Sequence, residues 1–472
     1  EVASTLGSYL ATVNEVTDYQ TYTGVASPMD FNGMVRRYYL RNGGYTGDVR
    51  INLLPRDMRK QQSHEIALRI RPEVEKIGKQ YGANLKIVEI PPGPPVLASV
   101  VAEIYGPPEA SIADLVQVTR RVRGDIETIE GVVDADDFSE ALHDKIHFRL
   151  NREKAALSGI NAAQVAEALR IAAVGHVVGI VHADTERLPL EIVLQLPRTL
   201  RSSAADLLAL RVKNTQGTLI PLSEIVTPVS LHADQPIYHK NLRRVHFVVA
   251  EMAGRSPVEA VFDLQDMLTE RPLPAGYSVE LAGEGEWKIT VDVFRDLGLA
   301  FAAALVMIYI LLVGQTASLT MPLVMMIAIP LTIIGIMPGF WLLNLVMASP
   351  IEGYPNPIYF TATAMIGMIA LAGIVVRNSI ILVDFIERIR VRGDVTLREA
   401  LIEAGAIRLR PIFLTAGAAM FGAFVIIFDP IFSGLAWSFI FGIFASTLFS
   451  LLVIPVVYFL IHNKQVSQMQ QR

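Results

Sequence analysis

Apolar and polar positions fall into two regimes along the chain. Up to about residue 290 they alternate in short runs; after Phe294 polarity falls away and long apolar stretches follow one another. In the first regime, strand-period and helix-period segments take turns. Residues 7–14 read as a short helix, and 19–23, 35–40 and 48–55 as strands. Ser63 is placed to cap a helix running to about Tyr81, and 85–90 returns as a strand. The run Pro91-Pro92-Gly93-Pro94-Pro95 is neither helix nor central strand, and predicts a stiff connection between subdomains.

The pattern then recurs. A strand at 96–105, a helix opened by Ser111 to about Ile129 and a strand after Gly131 form a second unit. A third comprises a strand at 245–250, a helix at 256–270 and a strand at 277–281. Such alternation predicts α+β sandwiches of the split βαβ, ferredoxin-like kind. Between the second and third units lies a different module, about 143–232. It has a strand at 145–150, a helix capped by Asn161 and running to 174, a strand pair at 177–181 and 188–196, and the segment 219–226. Its flanks read as halves of one sandwich, so the module is expected to be an insertion.

The second regime predicts an all-α membrane domain of five helices, at about 297–313, 319–345, 358–387, 411–428 and 435–461, because roughly 20 apolar residues span a ~30 Å hydrocarbon core. Between the third and fourth spans sit Arg388, Arg390, Arg392, Arg398, Arg408 and Arg410, and after the fifth come Lys464 and Arg472. The loops 346–357 and 429–434 hold no Lys or Arg. The positive-inside rule therefore assigns the arginine-rich loop and the C-terminus to the cytoplasm. With an odd number of spans, residues 1–290 are expected on the other side.

Composition and charge then narrow the function. At 52% hydrophobic, the chain exceeds the ~45–50% of ordinary soluble domains, and the excess lies in the spans. The net charge of −5, with no basic run in the first regime, argues against nucleic acid. Cysteine is absent, which removes disulfides and thiolate metal sites. The nine histidines show no metal-ligand spacing, and no nucleophile constellation or phosphate-binding glycine loop is present, so catalysis and a bound cofactor find no support. The chain opens with Glu1 rather than Met, which suggests part of a longer or processed protein.

The charge to explain is Arg377, well inside the third apolar stretch. A charge at that depth is costly and is a functional-site hypothesis by default. A snorkelling side chain would cover part of the distance to the interface. Asp384, seven residues on and on nearly the same helical face, is placed either as a terminal anchor or as a partner on a coupling path. Arginine cannot release a proton in a protein. If protons move here, a carboxylate must titrate beside Arg377, and no span of this sequence carries one deeply. The expectation is that the partner comes from helices outside the sequence. Hydroxyls in the spans, such as Thr415, Ser446, Thr447 and Ser450, are expected to bond their own backbone, and the glycines and alanines to permit close helix packing.

Three stretches carry a family resemblance: GIVVRNSIILVDF at 373–385, RLRPIFLT at 408–415 and REKAALSGI at 152–160. In this order around this hydropathy profile, the chain resembles the C-terminal half of resistance–nodulation–division (RND) efflux pumps of the multidrug type. The resemblance implies subdomain PC1 at 1–95, PC2 at 96–142 and 233–290, a funnel or docking subdomain at 143–232, and the membrane domain at 291–472. It implies a homotrimeric proton antiporter of the bacterial inner membrane, working with a periplasmic adaptor and an outer-membrane channel and exporting hydrophobic or amphiphilic compounds. The N-terminal repeat, which carries the family's paired aspartates, is not in the sequence. Arg377 falls where most drug-pump members have a lysine facing those aspartates, Thr415 on a threonine of the eleventh span, and Arg408 on an arginine at the cytoplasmic mouth of the proton path. Tyr19, Tyr22 and Phe31 fall in the region lining the drug pocket. Two alternatives stand beside this one. One is metal-ion export, although Met29, Met34, Met58, Met252 and Met267 form no clustered motif. The other is a non-transporting, membrane-anchored docking module.

Overall fold

The computed structural model describes residues 1–90, 93–183, 185, 188–391, 395–429 and 431–470, with side chains to 462. Pro91, Pro92, Arg392, Arg472 and the side chain of Lys464 lie outside the described residues. The chain forms two compact units, Ser139–Ile237 and the remainder.

The first lobe of the larger unit holds α1 (Val2–Leu10), β1 (Val16–Thr23), α2 (Phe31–Val35), β2 (Gly47–Leu53) and α3 (Ser63–Tyr81). β1 and β2 form an antiparallel pair. Leu6 and Leu10 of α1 meet Ile66, Ile70, Val74 and Ile77 of α3 in one apolar cluster. Three expectations fail in this lobe. Residues 35–40 are no strand; Asp30 caps α2 by accepting from the Gly33 N–H at 2.7 Å, and a single 3-10 turn at Tyr38–Leu40 follows Arg37, whose φ is 59°. The alternation of that segment serves a turn, not a ladder. Residues 85–90 form no strand either, since the Ile87 N–H is directed to the Asp134 carboxylate. The cap of α3 is Gln62, in a reciprocal box with Glu65, and Ser63 lies in the first turn.

The second lobe is the split βαβ sandwich that the alternation predicted. Its first half is β3 (Val100–Tyr105), α4 (Ile112–Glu127) and β4 (Val132–Asp137). Ser111 caps α4, accepting from the Asp114 N–H at 3.1 Å. The chain then enters the smaller unit and returns to complete the sheet.

That smaller unit comprises β5 (Asp144–Leu150), α5 (Arg152–Leu157), α6 (Ala162–Ala173), β6 (His176–Val181), β7 (Leu190–Leu194), α7 (Ala204–Leu208), β8 (Arg211–Lys213), β9 (Leu219–Pro221), α8 (Leu222–Ile225) and β10 (Val226–His232). β5 pairs with β10, and Ala155, Ile160, Val165, Leu222 and Ile225 form its core. Asn161 caps α6 as expected, accepting from the Gln164 N–H at 2.9 Å.

The sandwich closes with β11 (His239–Lys240), β12 (Arg243–Met252), α9 (Pro257–Glu270) and β13 (Ser278–Glu280). β12 lies between β3 and β4, and β3 lies between β12 and β13, all neighbours being antiparallel. Each βαβ half thus straddles one strand of the other. Val100, Ala102, Ile104, Val248 and Ala250 face α4 and α9. The opposite face carries Val101, Tyr105, Val245 and Phe247.

Five helices are long and apolar enough to cross a membrane. They are α10 (Glu286–Thr316), the pair α11 (Met321–Met326) and α12 (Ala328–Met347), α13 (Ala362–Val391), α14 (Leu397–Phe424) and α15 (Ser433–Gln470). Helix α15 packs against α12, α13 and α14. Glycine makes this possible. A Cβ on Gly442 would lie 2.1 Å from Leu371, and one on Gly335 would lie 2.3 Å from Ala445. Small residues let helices approach where lipid supplies no hydrophobic drive between them. The arginine-rich loop is shorter than the hydropathy suggests. Arg388 and Arg390 end α13, while Arg398, Arg408 and Arg410 belong to α14, which Thr396 caps. Pro411 sits inside α14 instead of opening a span there.

Candidate functional site

Arg377 lies near the middle of α13, about 22 Å from Ala362 and about 21 Å from Val391 at 1.5 Å per residue. The face of α13 that carries Leu371, Val375, Val376, Leu382 and Ile386 is buried in the bundle. Its neighbours Asn378 and Ser379 are also buried, and the Ser379 hydroxyl donates to the Val375 carbonyl at 3.0 Å. Arg377 itself is on the opposite side. Ile366, Ala370, Gly373, Arg377, Ile381, Asp384 and Arg388 are all exposed, and steps of three and four put them on one stripe. A Cβ on Gly373 would meet nothing within 4 Å. At Ala370 and Gly373 the stripe is therefore small, and the guanidinium stands one turn beyond Gly373 toward the C-terminus of α13. Among the described residues, Arg377 has no hydrogen bond or ion pair.

Asp384 is not its partner. The carboxylate pairs with Arg388 one turn on, at 2.9 Å, and both side chains are more than half exposed. This is a terminal pair, worth little in stability. Arg408 of α14 lies over the Phe385 ring, 4.3 Å from its centroid, and its buried Nε has no hydrogen-bond partner among the described residues. Thr415 is two turns further along α14, and its hydroxyl donates to the Ile412 carbonyl at 3.0 Å. Ser446 likewise bonds the Ile443 carbonyl, whereas the Ser438 and Thr447 hydroxyls are buried without a partner among the described residues.

The three aromatic candidates of the first lobe separate. Tyr19 packs its ring onto Gly7, where a Cβ would be 2.4 Å away, so it joins β1 to α1. Tyr22 donates to Gln20 at 2.8 Å. Phe31, on α2, is 64% exposed, and its near neighbours in sequence, Met29 and Met34, are half-exposed.

Three features had no sequence signal. The Tyr458 hydroxyl of α15 donates to Glu387 and accepts from Arg390 at 2.6 Å, joining residues some 70 positions apart. Glu103, fully buried in β3, accepts from Lys240 at 2.6 Å and from the Tyr105 hydroxyl at 2.7 Å. Burial first, and then the Glu103 carboxylate, push the Tyr105 phenol well above its usual range. Arg71 of α3 pairs with Asp134 of β4 at 2.8 Å, with both side chains under 10% exposed. No metal-holding group of three or more His, Cys, Asp or Glu occurs among the described residues.

A split βαβ sandwich with an inserted unit, followed by five helices long and apolar enough to cross a membrane, defines a polytopic membrane protein. The chain belongs to the AcrB/AcrD/AcrF family, the RND permeases, matching it over residues 3–462. Among curated relatives it is 29% identical to the cobalt-zinc-cadmium resistance protein CzcA of Cupriavidus metallidurans, over 67% of this chain and 29% of the relative. It is 26% identical to the swarming motility protein SwrC of Bacillus subtilis, over 75% and 32%. It is 23% identical to the multidrug resistance protein MdtC of Proteus mirabilis, over 91% and 41%. The crystal structure of a heavy metal efflux pump superposes with a TM-score of 0.73 at 18% identity, over 98% of this chain and 46% of the pump. The chain spans less than half the length of these relatives.

Proposed function

We propose that this chain is the C-terminal repeat of a proton-driven RND exporter. The observation that carries the reading is the exposed stripe of α13, where Arg377 stands unpaired at mid-depth beside Ala370 and Gly373. An uncompensated guanidinium at that depth is costly, and a stripe narrowed by small residues suits close contact with another helix. The occupant is a helix of the N-terminal repeat that brings carboxylates to Arg377. Because arginine stays charged, those carboxylates carry the proton, and Arg377 is the fixed cation that holds them when ionised and releases them when protonated. Arg408 and Thr415 line the inner side of this path, and Asp384 with Arg388 closes its mouth.

In this reading residues 1–95 form PC1, 96–142 and 233–290 form PC2, and 143–232 the docking subdomain. Residues 1–290 lie in the periplasm and the C-terminus in the cytoplasm. The pump is a trimer working with an adaptor and an outer-membrane channel. The exposed Phe31, flanked by Met29 and Met34, supports amphiphiles as cargo, since thioethers and aromatics make adaptable apolar surfaces. Metal cations are the second reading, favoured by the names of the CzcA relative and the superposed pump. A docking module without transport is the third.

The test uses the complete pump. Arg377→Ala should abolish export while trimer and expression persist; export at the wild-type rate would refute the reading. A panel of detergents and dyes against divalent and monovalent metal salts, in a deletion strain, separates the two cargo classes. Co-purification of a polypeptide with a buried aspartate pair would dismiss the docking module.

A further inference from the structure

The two α/β lobes of the larger unit keep separate apolar cores. Leu6, Ile66 and Val74 belong to the first, and Ile104, Val122 and Leu264 to the second. Charged and polar pairs join them: Arg71 to Asp134 at 2.8 Å, Lys86 to Asp136 at 3.2 Å, Asn84 to Asp136 at 3.0 Å and Arg36 to Glu251 at 2.9 Å. A joint made of ion pairs can exchange its partners for water as it opens, whereas an apolar core would lose its burial.

The loop between α12 and α13, residues 348–361, touches both sides of that joint. The Asn356 amide donates to Glu65 of α3 at 3.3 Å. Pro355 lies against Gly254, just beyond β12, so closely that a Cβ on Gly254 would come within 2.6 Å of its ring. Gly254 has φ +79°, so the bare backbone is needed for both conformation and contact. Tyr354 lies within electrostatic reach of Glu75, Arg71 and Asp134, the joint's buried pair included, and Glu352 within reach of Arg69.

The loop is also stiff and firmly rooted. Ile351 and Tyr354 exchange both backbone hydrogen bonds at 2.9 Å, around Glu352 and Gly353 with φ of 48° and 86°. Pro350, Pro355 and Pro357 fix φ along its length. At its base, the Asn344 side chain of α12 accepts from the Ile358 N–H at 2.6 Å and donates to the Ile358 carbonyl at 2.9 Å. Phe360 packs on Phe340 and Phe294 of the flanking helices. The chain runs directly from there into α13 and on to Arg377.

We infer that loop 348–361 is the transmission element between the Arg377 helix and the joint of the two lobes, with Gly254, Pro355 and Asn356 as its positioning residues. A displacement of α13 along its axis moves a rigid loop seated on both lobes, and so biases the ion pairs that hold them together. This rests on the reading of Arg377 as the coupling cation.

The test uses the complete pump in proteoliposomes with an imposed proton gradient. Two readouts are taken: cargo export, and maleimide labelling of Val133→Cys, a position lining the groove between the lobes. This chain supplies no other cysteine. In the parent, labelling should change with the gradient, and Arg377→Ala should abolish both that change and export. Asn356→Ala should lower export about tenfold and remove the gradient response of labelling while trimer yield and melting temperature stay at parent values; Gly254→Ala, strained at φ +79°, should lose more export and labelling response than its loss of folded protein accounts for. Full export with an intact labelling response in both variants overturns the inference and leaves the reading of Arg377 standing. Export that falls only in step with folded protein overturns it too. Normal export by Arg377→Ala overturns both.

Discussion

The Arg71–Asp134 pair offers a measurable account of what holds the two lobes together. Their charges, roughly 4 Å apart at an effective dielectric constant of about 20, attract by about 4 kcal/mol. Removing one member of a buried pair typically costs about 3–5 kcal/mol, because the other charge is left uncompensated. Asp134→Asn is the cleanest perturbation. Asp134 has φ 54°, a left-handed conformation that asparagine tolerates, and the amide oxygen can still accept from the Ile87 N–H. The loss should thus be electrostatic, about 2–3 kcal/mol. Arg71→Met should lose a similar amount, since Asp134 would keep a single N–H donor. The double variant should lose much less than the sum, with a coupling of about 2 kcal/mol between the two sites. The assay is thermal unfolding of the detergent-solubilised pump at one fixed scan rate, since such unfolding is commonly irreversible. Single-variant shifts in apparent melting temperature that simply add up to the shift of the double variant would refute the claim that this pair is a joined, desolvated contact.

Two further outcomes follow from the packing and the charges. Gly442→Leu forces a side chain into Leu371 and Ile336 and should prevent a stable bundle, whereas Gly417→Ala meets open space and should change the melting temperature little; size-exclusion profiles and melting curves of the two variants decide. His64 and Glu89 are 2.8 Å apart, and the Glu89 hydrogen bond raises the His64 pKa against the opposing effect of burial. A raised histidine pKa stabilises the fold below the unfolded value of about 6.5 and loses that contribution as the pH climbs through the folded value. Both side chains are over one third exposed, so screening keeps the effect under about 1 kcal/mol. The melting-temperature gap between wild type and Glu89→Gln should accordingly be largest near pH 6 and close at alkaline pH; a gap independent of pH would contradict the pairing.

Hydropathy alone determined the five spans, because length and polarity suffice to choose helix in a solvent that cannot satisfy backbone groups. The split βαβ halves were equally legible, since Ser111 and Ser256 mark the starts of α4 and α9 by chemistry that acts within three residues. Residues 35–40 and 85–90 alternate like strands but form none, because a strand needs a partner and period-2 alternation cannot say whether one is there. The long reach of α14 back to Thr396 was hidden by Pro411, which reads as a helix start in sequence but is accommodated within the helix. Arg377 was visible as a charge at depth, yet its direction was not. The packing of α13 against α12, α14 and α15, with Gly442 admitting Leu371, decides which face is buried, and so leaves the arginine on the open stripe. The same holds for Asp384, which the helical period allowed as its partner and which the side chains instead pair with Arg388. Local chemistry and solvent preference are written along the chain; which surfaces meet is a property of packing between residues far apart in it.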